Sequence, residues 1–81
     1  MISVEVVFYA QLKDFFGEKT TVEVPEGATA LQIRAALAAK NALAAEWLKV
    51  SRLAGDDAFL SEDFPVAAGG RYYLLPPSSG G

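Results

Sequence analysis

The sequence contains no His and no Cys. Without a thiol there is no Cys nucleophile, no disulfide and no thiolate metal site. Without an imidazole there is no His base and no His-containing triad. Carboxylates, Lys, Arg, Ser, Thr, Tyr and the chain termini remain. Ser78 and Ser79 have no base beside them, so they are not nucleophile candidates. The unusual reactive group is the α-carboxylate of Gly81, which closes the run Pro76-Pro77-Ser78-Ser79-Gly80-Gly81. The proline pair favours a stiff, extended exit; six residues at about 3.1 Å each reach roughly 19 Å. Gly80 and Gly81 carry no side chain and suit a channel too narrow for other residues. A carboxylate is inert as an acyl donor. Adenylation would turn it into a mixed anhydride, which sulfide or a persulfide could convert to a thiocarboxylate. That step needs ATP and a partner enzyme, because the chain has no phosphate-cradling glycine loop. The plainer alternative is a Gly/Ser end without a role.

Other candidate groups are weaker. Asp56-Asp57 and Glu62-Asp63 read as solvated loop acids, so no metal site is expected. Trp47 reads as an anchor at the core edge. Arg71 either meets acidic groups on a partner or faces solvent.

The chain positioning that tail is 81 residues long, enough for one domain. A chain of this size buries only about 60% of its unfolded surface. At 52% hydrophobic residues it can still form a core without staples. Its net charge of −3 and seven scattered basic residues (Lys13, Lys19, Arg34, Lys40, Lys49, Arg52, Arg71) argue against nucleic acid. No apolar run approaches a membrane span, and Met1-Ile2-Ser3-Val4-Glu5 lacks a basic signal-peptide start, so a cytoplasmic protein is expected.

Ile2, Val4, Val6 and Phe8 alternate with Ser3, Glu5, Val7 and Tyr9, a strand with one apolar face. The other face starts polar and turns apolar at Val7 and Tyr9. Residues 10–18 read as a turn or short helical loop that tucks a ring of Phe15 or Phe16 against the core. Lys19–Val24 is a second strand, stopped by Pro25-Glu26-Gly27 and paired as a hairpin with the first. Thr29 and Gln32 form a capping box ahead of the main helix, whose Ala30, Ile33 and Leu37 make its apolar stripe. Asn41 breaks the run, and residues 42–48 form a shorter helix. A third strand is expected at 49–54, a short returning strand at 58–60, a loop at 61–70, and the last strand at Arg71–Leu75.

The ββαββ order predicts an α+β fold: a mixed four- to five-stranded sheet with one main helix on one face. First and last strands side by side and parallel give the β-grasp, or ubiquitin-like, arrangement. The domain spans residues 1–75 and the flexible tail residues 76–81. A ferredoxin-like fold would need a second crossover helix, for which residues 61–70, with Pro65, Gly69 and Gly70, are poorly suited.

Three segments carry a family resemblance: Val6-Val7-Phe8-Tyr9-Ala10-Gln11-Leu12 with Gly17; Val24-Pro25-Glu26-Gly27-Ala28-Thr29; and Leu74-Leu75-Pro76-Pro77-Ser78-Ser79-Gly80-Gly81. In these the sequence resembles the small subunit of molybdopterin synthase, the MoaD-like family of ubiquitin-like sulfur carriers. Two turns depart from the family pattern. Gly69-Gly70-Arg71 stands where Gly-Asp-Glu is usual, and Leu53-Ala54-Gly55-Asp56 stands where a strand commonly closes on Val-Asn.

The resemblance implies that an E1-like adenylating enzyme, using ATP, activates Gly81, and that a sulfur donor protein converts it to a thiocarboxylate. The tail, Pro76, Pro77, Ser78, Ser79 and Gly80, then inserts into the large synthase subunit and donates sulfur to a pyranopterin precursor. It further implies that catalytic side chains sit on the large subunit, that this chain is not an enzyme alone, and that it binds no cofactor. The family docks through a surface whose matching positions here are Tyr9, Phe59 and Leu75. Three alternatives stay open: a carrier for thiazole synthesis or transfer-RNA thiolation, a ubiquitin-like protein modifier, and a β-grasp interaction module with an inert tail.

Overall fold

Alternation builds the first strand, β1 (Ile2–Phe8): Val4, Val6 and Phe8 are buried, while Ser3 is exposed. The computed structural model describes residues 1–77. A 3-10 turn at Ala10–Leu12 and the single-turn helix α1 (Lys13–Phe16) lead into β2 (Lys19–Val24). β2 runs antiparallel to β1, with Val4 opposite Val22 and Ile2 opposite Val24. Helix α2 (Ala30–Lys40), a 3-10 turn at Ala42–Ala44 and α3 (Ala45–Val50) follow. β3 (Arg52–Ala54) and β4 (Arg71–Leu75) complete a four-stranded sheet of order β2-β1-β4-β3. β1 and β4 are parallel neighbours, as expected for a β-grasp fold.

The predicted capping box sets the start of α2. The Thr29 backbone N–H donates to Gln32 Oε1 at 2.8 Å, satisfying one of the donors that open a helix end. Ala30, Ile33 and Leu37 bury their stripe against Val4, Val6, Phe8 and Leu74 in one core. Leu12 is sealed in the same core, and Phe16 stacks on Phe8 with ring centroids 4.7 Å apart. Trp47 is partly buried against this core. The loop at 61–70 is strapped down at both ends. The Ala30 N–H donates to the Phe64 carbonyl, and the Gly69 N–H to the Ser3 carbonyl at 2.8 Å.

Two expectations need correction. Residues 49 and 50 belong to α3 rather than to the third strand. Leu48 is buried on the helix, and Ser51 closes it: the Ser51 hydroxyl donates to the Trp47 carbonyl at 2.6 Å, as does its backbone N–H at 3.1 Å. The strand therefore begins only at Arg52. The expected returning strand at 58–60 reduces to one bridge, Ala54 opposite Phe59. The Gly55 N–H to Ala58 carbonyl bond turns the chain tightly. Leu60 then packs at the core edge after one further bond to Leu53.

Candidate functional site: the helix-free face and the base of the tail

The helices cover one face of the sheet, and the residues that alternate with the core form the other. This face has two halves. Toward the start of β1 it is polar. Glu5 sits between Arg71, whose Nε donates to it at 2.5 Å, and Lys19 at 3.5 Å. The hydrogen bond from Arg71 holds the Glu5 carboxyl below its usual range. Partial burial opposes this shift, and the charges of Arg71 and Lys19 add to it. Ser3 donates to Glu23 nearby.

Toward the ends of β1 and β4 the face becomes apolar and aromatic. The β1–β4 register sets Val7 opposite Tyr73, and the Tyr9 and Tyr73 rings lie 6.5 Å apart. Tyr9, Ala54, Gly55, Asp56, Tyr73 and Leu75 line a shallow concavity of about 300 Å³. The Tyr73 hydroxyl donates to Asp56 Oδ1 at 3.4 Å across its rim. Tyr9 is followed by Ala10 at φ 51°, left-handed backbone that a side chain tolerates poorly. That bend starts the 3-10 turn just past the concavity.

Of the three expected docking residues, Tyr9 and Leu75 line this concavity, and Phe59 does not. Phe59 lies beside it, 49% exposed, beneath the Arg52 guanidinium, whose Cζ is 3.9 Å from the ring centroid. Arg52 is directly opposite Leu75 in the β3–β4 register. Pro76 and Pro77 continue from Leu75, so the tail leaves from the edge of the aromatic half. Ser78, Ser79, Gly80 and Gly81, on which the expected tail chemistry falls, lie outside the described residues. The place of Arg52 and Asp56 at this surface escapes a reading of the sequence, which takes Arg52 only as one of the scattered basic residues and Asp56 as a solvated loop acid. Their places follow from cross-strand register and from a four-residue turn. The alternation Arg52-Leu53-Ala54 is the one local signal, since it sends Arg52 away from the core.

The two departures from the resemblance are accommodated locally. A Cβ on Gly70 would lie 2.8 Å from the Tyr72 ring and 2.9 Å from the Ala67 carbonyl oxygen, so a side chain at Gly70 would displace the turn. The Tyr72 hydroxyl in turn accepts from the Ala67 N–H at 2.9 Å. Arg71 finds its acidic partner within the chain, in Glu5. At the other turn, the Gly55 N–H bonds the Ala58 carbonyl at 2.9 Å.

Residues 6–81 match the ThiS family. The chain belongs to the ThiS family. This ThiS-family chain is also similar in structure to SAMP1 of Haloferax volcanii: 24% identity over 98% of this chain and 99% of that one, TM-score 0.80. A complex of subunits 1 and 2 of the molybdopterin-converting factor from Helicobacter pylori contains a chain 26% identical, covering 99% of this chain and 100% of that one, TM-score 0.69. A Caldiarchaeum subterraneum ubiquitin aligns over 99% of this chain and 98% of that one at 21% identity, TM-score 0.68. A search of curated proteins found no match. The ThiS-family chain therefore has the ubiquitin-like β-grasp fold. Among its described residues, no helix is long and apolar enough to cross a membrane, and no cluster of acidic side chains is arranged to hold a metal ion.

Proposed function

We propose that this chain is a sulfur carrier that delivers a C-terminal thiocarboxylate on Gly81 to the large subunit of molybdopterin synthase. One observation carries the reading. The strand leading to Pro-Pro-Ser-Ser-Gly-Gly is the parallel neighbour of β1, so the tail leaves beside an exposed aromatic face suited to docking. In the proposed cycle a Gly81 carboxylate oxygen attacks the α-phosphate of ATP on an adenylating enzyme, and pyrophosphate leaves. Sulfide attacks the acyl carbon, AMP leaves, and the thiocarboxylate forms. A persulfide can serve instead if a thiol takes up its other half as a disulfide. The loaded tail then enters the large subunit: its sulfur bonds a carbon of the pyranopterin precursor as a carbon–oxygen bond there breaks, and water cleaves the acyl–sulfur bond and returns Gly81 to a carboxylate, so a dithiolene takes two loaded chains. The chain itself acts as a donor rather than a catalyst, in keeping with its lack of His and Cys.

The similarity to a subunit of the Helicobacter pylori converting-factor complex and the Phe8-Tyr9-Ala10-Gln11-Leu12 segment favour this client over thiazole synthesis or transfer-RNA thiolation. The similarity to SAMP1, a small archaeal modifier protein, supports a second reading, a protein modifier joined through Gly81 to a target lysine. Reconstitution separates them. Thiocarboxylated chain, large subunit and precursor should yield a dithiolene-bearing pterin, and chain lacking Gly81 should yield none. Sulfur uptake without pterin product, together with lysine adducts in extract, would overturn the synthase reading in favour of the modifier.

A further inference from the structure

The aromatic half of the helix-free face is framed by one charged group with no acidic partner. Among the described residues, Arg34 pairs with Glu62, Lys49 with Glu46, and Lys19 and Arg71 with Glu5. Arg52 makes no ion pair there, and neither do Lys13 on α1 and Lys40 on α2, although the chain carries a net charge of −3. Arg52 lies instead over Phe59, with Cζ 3.9 Å from the ring centroid. Among the described residues the arginine side-chain hydrogen bonds come from Arg34 and Arg71, so the N–H donors of the Arg52 guanidinium are unused within the fold. The stack also fixes a side chain that would otherwise lose rotamer freedom on binding. Arg52 stands opposite Leu75, the last strand residue before the prolines. A fixed, unneutralised fork therefore sits at the rim of the apolar surface and at the root of the tail.

We propose that Arg52 is the charge determinant of docking. It receives a carboxylate of the protein partner in a two-pronged hydrogen bond while the Phe59 ring, Tyr9 and Leu75 meet that partner's apolar surface. The partner surface that fits is an apolar patch with an Asp or Glu at its edge. Phe59 acts as a positioning residue, because it holds the fork in place. This inference rests on the reading that a protein docks here to take the tail.

The test is calorimetric titration of the full chain into the large subunit of molybdopterin synthase at low and high salt, with sulfur loading of each chain followed in parallel by intact mass. Arg52→Ala should weaken binding about 10-fold or more and flatten its salt dependence. Arg52→Lys should lose nearly as much, since an ammonium cannot reproduce the fork. Phe59→Leu should cost only a few-fold and keep the salt dependence, because the cation remains but is less fixed. Arg52 and Phe59 are both exposed, so all three chains should melt close to wild type. If Arg52→Ala and Arg52→Lys bind as tightly as wild type, with the same salt dependence, the proposal fails. Full rescue by Arg52→Lys would overturn the two-pronged carboxylate. A wild-type chain that takes up sulfur but does not bind the large subunit would overturn the choice of partner, and this inference with it. Unchanged binding of the variants alone overturns only the role of Arg52.

Discussion

The two faces of the β1–β4 pair are made of alternate residues of the same strands, yet they do opposite things. Val6, Phe8, Tyr72 and Leu74 are buried in the core, and the most exposed of them, Tyr72, is only 8% exposed. Val7, Tyr9, Tyr73 and Leu75 point away and stay partly exposed, with Tyr9 at 41%. Both sets are apolar and aromatic. One face is closed by helices that the chain itself supplies, whereas the other has no cover within the described residues and lies where the tail departs. Substitutions on the covered face should therefore register as lost stability, and those on the open face as lost binding.

The sharpest way to break this contrast is Phe8→Ala. Removing a buried ring that stacks on Phe16 should cost about 3–5 kcal/mol in denaturant unfolding, a large part of the stability of a domain this small. A loss below about 1 kcal/mol would contradict the assignment of that face as the core. Next comes Tyr9→Ala with Leu75→Ala on the open face. We expect about 1 kcal/mol or less of stability lost per substitution, and at least about a 10-fold loss of partner affinity by titration. Unfolding without a binding phenotype in the folded fraction would invert the account.

Smaller effects sharpen it. The Glu5 carboxyl is held below its usual range chiefly by Arg71. Its contribution to stability is therefore present above the unfolded carboxylate value and lost as pH falls through the lower folded value. Glu5→Gln should flatten that part of the acid limb of a stability-against-pH curve and leave neutral-pH partner affinity unchanged. An unaltered acid limb would show that the pair is not formed in solution. The smallest effect is expected at Ala10, whose φ is 51°. Ala10→Gly relieves the left-handed backbone but adds freedom to the unfolded chain, so it should be nearly neutral in thermal melts. Ala36→Gly, within α2, should cost about 1 kcal/mol by comparison.

Much of this contrast is legible in the sequence, because local periodicity writes it. Ile2, Val4, Val6 and Phe8 announce the covered face two residues at a time, and Thr29 with Gln32 announces where the covering helix starts. The parallel β1–β4 pairing follows from element order. What stays hidden depends on contacts distant in the chain. The stacking of Arg52 on Phe59 and the placement of Arg52 beside Leu75 depend on register across two strands. The late start of β3 goes with Ser51 closing α3 just before it, through its hydroxyl and its backbone N–H to the Trp47 carbonyl. Arg71 left two readings open from its position alone. Its partner Glu5 lies 66 residues away in the chain and is brought near only by the parallel pairing.

The central claim is that the working group of this chain is the carboxylate of Gly81. Intact mass spectrometry after incubation with the adenylating enzyme, ATP and a sulfur source tests it most directly. The account predicts a mass gain equal to exchanging one oxygen for one sulfur, localised to the C-terminal peptide and absent when Gly81 is deleted. No gain with an adenylating enzyme shown to be active, or an equal gain without Gly81, would contradict it.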